Sequence, residues 1–99
     1  MKSVDFLDAA RVELLEAVEH YNREDEGLGN KFAEEVKRTI ERIVGFSNAW
    51  TPLSHRTRRC RTKAFPYGII YQVRENSIVI VAVMHLHRNP ESWKSRIGG

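Results

Sequence analysis

Residues 58–96 read RRCRTKAFPYGIIYQVRENSIVIVAVMHLHRNPESWKSR, and the fold turns on how this stretch divides. From Arg58 the residues alternate with period two. That places Arg59, Arg61 and Lys63 on one face of a strand and Arg58, Cys60, Thr62 and Ala64 on the other. Pro66 and Gly68 mark an edge or a bulge. Ile69, Ile70, Tyr71 and Val73 form the next strand, Glu75-Asn76-Ser77 a compact turn, and Ile78 to Met84 a third strand rich in β-branched residues. This last strand is apolar on both faces, so it belongs in the middle of the sheet. Asn89-Pro90 opens a final helical turn, with Pro90 at its first position, running through Trp93 to Arg96.

Upstream of this stretch the period is helical. Val4-Asp5-Phe6-Leu7 reads as a short first strand, and Asp8 as the N-cap of a helix. Ala10, Leu14, Ala17, Val18 and Tyr21 recur at three- and four-residue spacing on one face, while Glu13, Glu16, Glu19 and Glu24 fall mostly off it. Asp25-Glu26-Gly27-Leu28-Gly29 is the break, because glycine takes the left-handed conformation that ends a helix. A second helix carries the stripe Phe32, Val36, Ile40 and Ile43, and Gly45 to Thr57 reads as loop with Pro52 as a breaker. Two amphipathic helices with so short a connection predict an antiparallel hairpin. The expected fold is therefore α+β: an N-terminal helical hairpin packed on one face of a small curved antiparallel sheet, with the opposite face open. Nothing divides the chain, so residues 1–99 are expected to form one domain.

Charge is distributed unevenly. Residues 1–49 hold 7 Lys/Arg against 11 Asp/Glu, a charge of −4, whereas residues 50–99 hold 9 against 2, a charge of +7. Such a split predicts a basic working surface on an acidic scaffold, facing an anionic or acidic partner. A 99-residue chain holds one core but no second domain to close over a deep substrate pocket. Cys60 is the sole cysteine, so an internal disulfide and a thiolate metal cluster are excluded. No apolar run reaches transmembrane length and the Met1 end is too polar for a signal peptide; a soluble cytoplasmic protein is the expectation. Gly-rich phosphate loops, zinc motifs and dinucleotide fingerprints are absent, so no cofactor and no metal are expected.

The candidate surface follows from these placements. Arg59, Arg61 and Lys63, extended by Arg56 and Arg58, form a dense set of cations suited to phosphate or to developing negative charge. His85 ends the apolar strand, where an imidazole can move a proton. Arg88 and Arg96 serve either an anion or the acidic residues of the helices, and Trp93, with Tyr67 and Tyr71, supplies aromatic surface that stacks on bases or packs in the core.

The order of these pieces resembles a known family. Tyr21 and Gly29-Asn30-Lys31-Phe32 on the helices precede a basic strand and Phe65-Pro66-Tyr67-Gly68-Ile69-Ile70-Tyr71; Val81-Ala82-Val83-Met84-His85 and Arg88-Asn89-Pro90-Glu91-Ser92-Trp93 follow. The combination is similar to the RelE/ParE superfamily of type II toxins, and closer to the ParE branch, often called plasmid stabilisation proteins. The resemblance spans nearly the whole chain. It implies a small cytoplasmic toxin paired with a cognate antitoxin that wraps it, with operator DNA contacted only through the antitoxin. ParE-like members inhibit DNA gyrase by binding. RelE-like members instead cut mRNA on the ribosome without a metal, and by position Arg61, Lys63, His85 and Arg88 would then be the catalytic set. Under a binding role, Arg56, Arg58, Arg59, Arg61, Lys63, Arg88, Trp93 and Arg96 would contact the target or nucleic acid. Trp93 stands where a RelE-like tail carries a tyrosine, and no Tyr follows Tyr71, which favours the ParE-like reading.

Overall fold

A computed structural model describes residues 2–88 and 91–97. Strand β1 (Ser3–Phe6) leads into helices α1 (Asp8–Glu24) and α2 (Leu28–Gly45). Strands β2 (Thr51–Pro52), β3 (Thr57–Arg61), β4 (Tyr67–Val73) and β5 (Ser77–His85) follow, and the described chain closes with a 3-10 turn at Lys94–Arg96. The sheet order is β1-β5-β4-β3-β2. The helical hairpin, the three principal strands and the central position of β5 agree with the sequence reading.

Four expectations need correction. The sheet is mixed, because β1 runs parallel to β5, with Ser3 beside Ser77 and Phe6 beside Ile80. A strand before the hairpin and a strand at the end of the chain meet side by side, and only the other pairings are antiparallel. Asp8 is not the N-cap. The Leu7 N–H still donates to the Ile80 carbonyl as the last rung of β1 (3.0 Å), so Leu7 is the cap and Asp8 the first helical residue. There its charge suits the positive end of the helix dipole. The segment read as loop contains β2, a two-residue edge strand in which Pro52 is tolerated. The alternation expected through Ala64 stops at Arg61. Thr62 turns the chain by donating its hydroxyl to the Phe65 carbonyl (2.6 Å), and Glu35 of α2 accepts the Ala64 N–H (2.7 Å). The turn expected to open at Asn89-Pro90 lies outside the described residues.

The hairpin packs through small residues. Gly27 takes φ +85° in the connection, and at Gly29 the two helices come so close that a Cβ would lie 2.1 Å from the Val18 carbonyl oxygen. The Gly29 N–H is bonded to Asn22 Oδ1 (2.8 Å), which pins the crossing. Ala10, Ala17, Phe32, Val36 and Ile43 then cover Cys60, Ile69, Tyr71, Ile78, Ile80 and Val83 on one sheet face. Thr39 joins this buried stripe because its hydroxyl is satisfied by the Glu35 carbonyl (2.8 Å).

A fifth expectation, that the opposite face is open, is also corrected. Ile70, Val81, Ala82 and Met84 are buried there under Trp93, with Leu7, Leu53 and Ile97 against them. The chain after β5 folds back across the sheet, so both faces of the central strand are covered.

Candidate functional site

The site is organised by one irregularity. Ile70 pairs with Ala82 and Tyr71 with Ile80, so Val81 is an extra residue in β5. This β-bulge reverses the alternation. Ile78 and Ile80 face the helices, Val81 and Ala82 both face away, and Val83 faces the helices again. His85, opposite Tyr67, is thereby turned to the helix side, where its ring lies 5.3 Å from the Tyr67 ring.

Beyond Ile80, β1 has already ended, and β5 needs other partners on that edge. They are ionic. Glu13 of α1 accepts the Val83 N–H (3.1 Å), and Arg96 donates to the Val81 carbonyl (3.0 Å). The two side chains are themselves joined by a fork of 2.7 and 2.9 Å and are only 18% and 21% exposed. Hydrogen bonding to Glu13 holds the Arg96 guanidinium above its ordinary pKa, outweighing burial. The sequence places Glu13 mostly off the apolar face together with Glu16, Glu19 and Glu24, and nothing local distinguishes it from them.

Two recesses flank the end of β5. On the helix side a cleft of about 440 Å³ is bordered by Glu16, His20, Tyr67, His85, His87 and Arg88. The His87 N–H donates to His85 Nδ1 (3.1 Å), which leaves Nε2 as the protonated nitrogen of the neutral ring. Burial pushes the Tyr67 phenol up, against the opposing influence of the Arg88 charge. On the other sheet face a narrow groove of about 50 Å³ is lined by Leu53, Ile70, Met84, Leu86 and Trp93, together with Arg59, Gly68, His85 and Arg88.

The cations separate accordingly. Arg59 and Arg61 alternate onto the groove side of β3, since Arg59 is registered with Ile70 and Arg61 with Gly68. Arg58 points the other way: it pairs with Tyr71 and donates to the Trp50 carbonyl (2.7 Å). Lys63 is exposed in the turn after β3, and Arg56 is exposed before it. Arg61 and Lys63 therefore do not share the cleft that His85 and Arg88 border. Trp93, 2% exposed, is part of the core, and Arg96 is committed to Glu13. Among the described residues no carboxylate forms an ion pair with Arg56, Arg58, Arg59, Arg61, Lys63 or Arg88.

Tyr67 and Phe65 are anchors of the fold. With Tyr21 and Phe32 they form a cluster of tilted and edge-on ring contacts at 4.7–6.1 Å, which fixes the Phe65-Pro66-Tyr67 turn against the hairpin. Sequence reasoning passed over Val12 and Leu15, which are 53% and 59% exposed on α1. Their position off the apolar stripe was the available signal, and adjacent exposed aliphatic residues on a helix suit a protein contact.

A family model described as the ParE toxin of type II toxin-antitoxin system, parDE, matches residues 4–90. Among solved structures, a chain of the chromosomal ParDE TA system from P. aeruginosa has the same fold, with a TM-score of 0.75 at 16% identity over 86% of this chain and 96% of that one. No curated protein sequence matches.

Proposed function

The chain belongs to the ParE toxin family of type II toxin-antitoxin systems, and on that premise we propose that it acts by binding and inhibiting DNA gyrase and is neutralised by a cognate antitoxin. It works in the cytoplasm, and operator DNA is reached only through the antitoxin. The observation that carries this reading is the groove-side surface, where Arg59 and Arg61 stand without acidic partners among the described residues, beside a narrow channel with apolar walls. Unpaired guanidinium groups next to apolar walls suit recognition of an acidic protein segment, and such a surface needs no reacting group. The acidic helix α1, with the exposed Val12 and Leu15, offers a second region for a wrapping partner. Among the described residues no helix is long and apolar enough to cross a membrane. The test is supercoiling by purified gyrase with the chain at stoichiometric concentration. Inhibition is expected, and undiminished supercoiling removes gyrase as the target.

One observation favours a second activity. His85, Tyr67 and Arg88 converge on the α1 cleft, a proton-transfer group beside a cation. A metal-independent, ribosome-dependent endoribonuclease would place its chemistry there. In a translating extract, mRNA cleavage that is relieved by Arg88→Ala would support it. Intact mRNA with the wild-type chain eliminates it.

A further inference from the structure

Arg59 is a charge on β3 without an acidic partner among the described residues. Its Nε is buried without a hydrogen-bond partner, and no carboxylate among the described residues pairs with its guanidinium. Its aliphatic stem is laid directly across Gly68: a Cβ built on Gly68 would lie 2.9 Å from Arg59 Cδ and 3.1 Å from Cγ. The glycine therefore makes the bed on which the arginine runs toward the groove. Leu53, Ile70, Met84, Leu86 and Trp93 wall that groove, together with His85 and Arg88.

An arginine stays charged at any pH the protein meets, and a buried donor left unmade is costly. A partner's carboxylate suits the rest of the guanidinium, because its two oxygens match the fork of donors. We propose that Arg59, over Gly68, is the docking point for a single Asp or Glu side chain of the antitoxin, whose neighbouring apolar side chain enters the groove between Ile70, Met84 and Trp93. This rests on the neutralisation reading above and adds the chemistry of its anchor. The apolar walls favour a peptide over a nucleic-acid strand, whose phosphates would gain nothing from Leu53 or Met84. The volume of about 50 Å³ admits one side chain and not a helix.

The experiment is calorimetric titration of the full-length cognate antitoxin into the wild-type chain and into Arg59→Lys, Arg59→Gln, Gly68→Ala and Lys37→Gln. Thermal melts establish that each variant is folded. Arg59→Lys keeps the charge and loses the fork, while Gly68→Ala displaces the side chain without changing charge. Losing one partner of a desolvated pair predicts affinity reduced on the order of 30-fold or more for Arg59→Gln, and clear losses for Arg59→Lys and Gly68→Ala. The exposed Lys37 on α2 serves as the control, expected to remain within about 3-fold of wild type. Replacing each antitoxin Asp and Glu by its amide in turn is expected to reveal one carboxylate coupled to Arg59. Wild-type affinity in Arg59→Gln overturns this inference alone and leaves neutralisation standing. Absence of binding by the wild-type chain overturns both. Loss of affinity for a duplex DNA oligonucleotide in Arg59→Gln, with antitoxin binding intact, would assign the guanidinium to nucleic acid instead.

Discussion

Replacing Arg96 by alanine should unfold more than the tail. The side chain joins three things: the Glu13 carboxylate of α1, the Val81 carbonyl at the bulge, and the segment that carries Trp93 over the second sheet face. Its removal strands Glu13, which is 18% exposed and retains only the Val83 N–H, and leaves the Val81 carbonyl without this donor. Removing one partner of a fully buried pair costs about 3–5 kcal/mol. Both groups here keep about a fifth of their surface in water, so solvent screening lowers the figure to about 2–3 kcal/mol. For a domain of this size that is a drop in Tm of roughly 10–20 °C. Glu13→Gln keeps one acceptor for Val83 and should cost less, about 1–2 kcal/mol. The double variant should show a coupling of about 1–2 kcal/mol, since either single change already breaks the fork. Arg38→Ala is the contrast: it breaks the exposed pair with Glu34 and should lie within about 0.5 kcal/mol of wild type. Chemical denaturation of the wild type and the four variants measures all of this. If Arg96→Ala melts within a few degrees of wild type, the clamp is ornamental and the tail is held by Trp93 alone.

Two further perturbations test the helix-side core. Burial pushes the Tyr71 phenol up to about 12 while its hydroxyl donates to the Ser47 carbonyl (2.6 Å), so folding favours the neutral form. The contribution is fully present below pH about 10 and is lost as pH rises toward 12; two units correspond to about 2–3 kcal/mol. Urea unfolding across that range should therefore show falling stability in the wild type and a shallower fall in Tyr71→Phe, and equal slopes would contradict the assignment. Gly29→Ala should destabilise by about 3 kcal/mol, because its methyl group would meet the Val18 carbonyl, whereas Gly45→Ala, with nothing within 4 Å, should be neutral or slightly stabilising; equal melting temperatures would mean that the hairpin does not cross at Gly29.

What was legible in the sequence was what local periodicity encodes. The helical stripes fell where Ala10, Ala17, Phe32, Val36 and Ile43 are buried, and the β-branched runs fell on β4 and β5. What escaped depends on partners distant along the chain. Four residues at Ser3–Phe6 carry no mark saying that they will lie parallel to β5. Glu13 is indistinguishable in sequence from the solvated Glu16 and Glu19, because its role is set by Arg96, 83 positions away. Trp93 was readable as a packing aromatic as well as a target contact, and it packs; what escaped is that the tail returns over a sheet face that the sequence left open. Of the basic strand, the alternation of Arg59 and Arg61 against Arg58 was readable, whereas the turn that removes Lys63 needed the Thr62 and Glu35 bonds to be seen.

The bulge was the least legible feature, and it decides which chemistry each face presents. In Ile78 to Met84 every residue is apolar, so no polar residue reports a change of phase. Had the alternation set by Ile78 and Ile80 continued, Ala82 and Met84 would have faced the helices, and His85 would have stood on the same face as Arg59 and Arg61. An imidazole among guanidinium groups is the arrangement expected of a phosphate-cleaving surface. The extra Val81 instead turns His85 toward Tyr67 and α1, and gives Met84 to the groove floor. His85 and Arg88 line both recesses at the end of β5, whereas Arg59 lines only the groove and its apolar walls, which suits binding. One inserted residue thus turns the His85 ring from the face of Arg59 and Arg61 toward Tyr67, and the Glu13–Arg96 clamp holds that insertion in place.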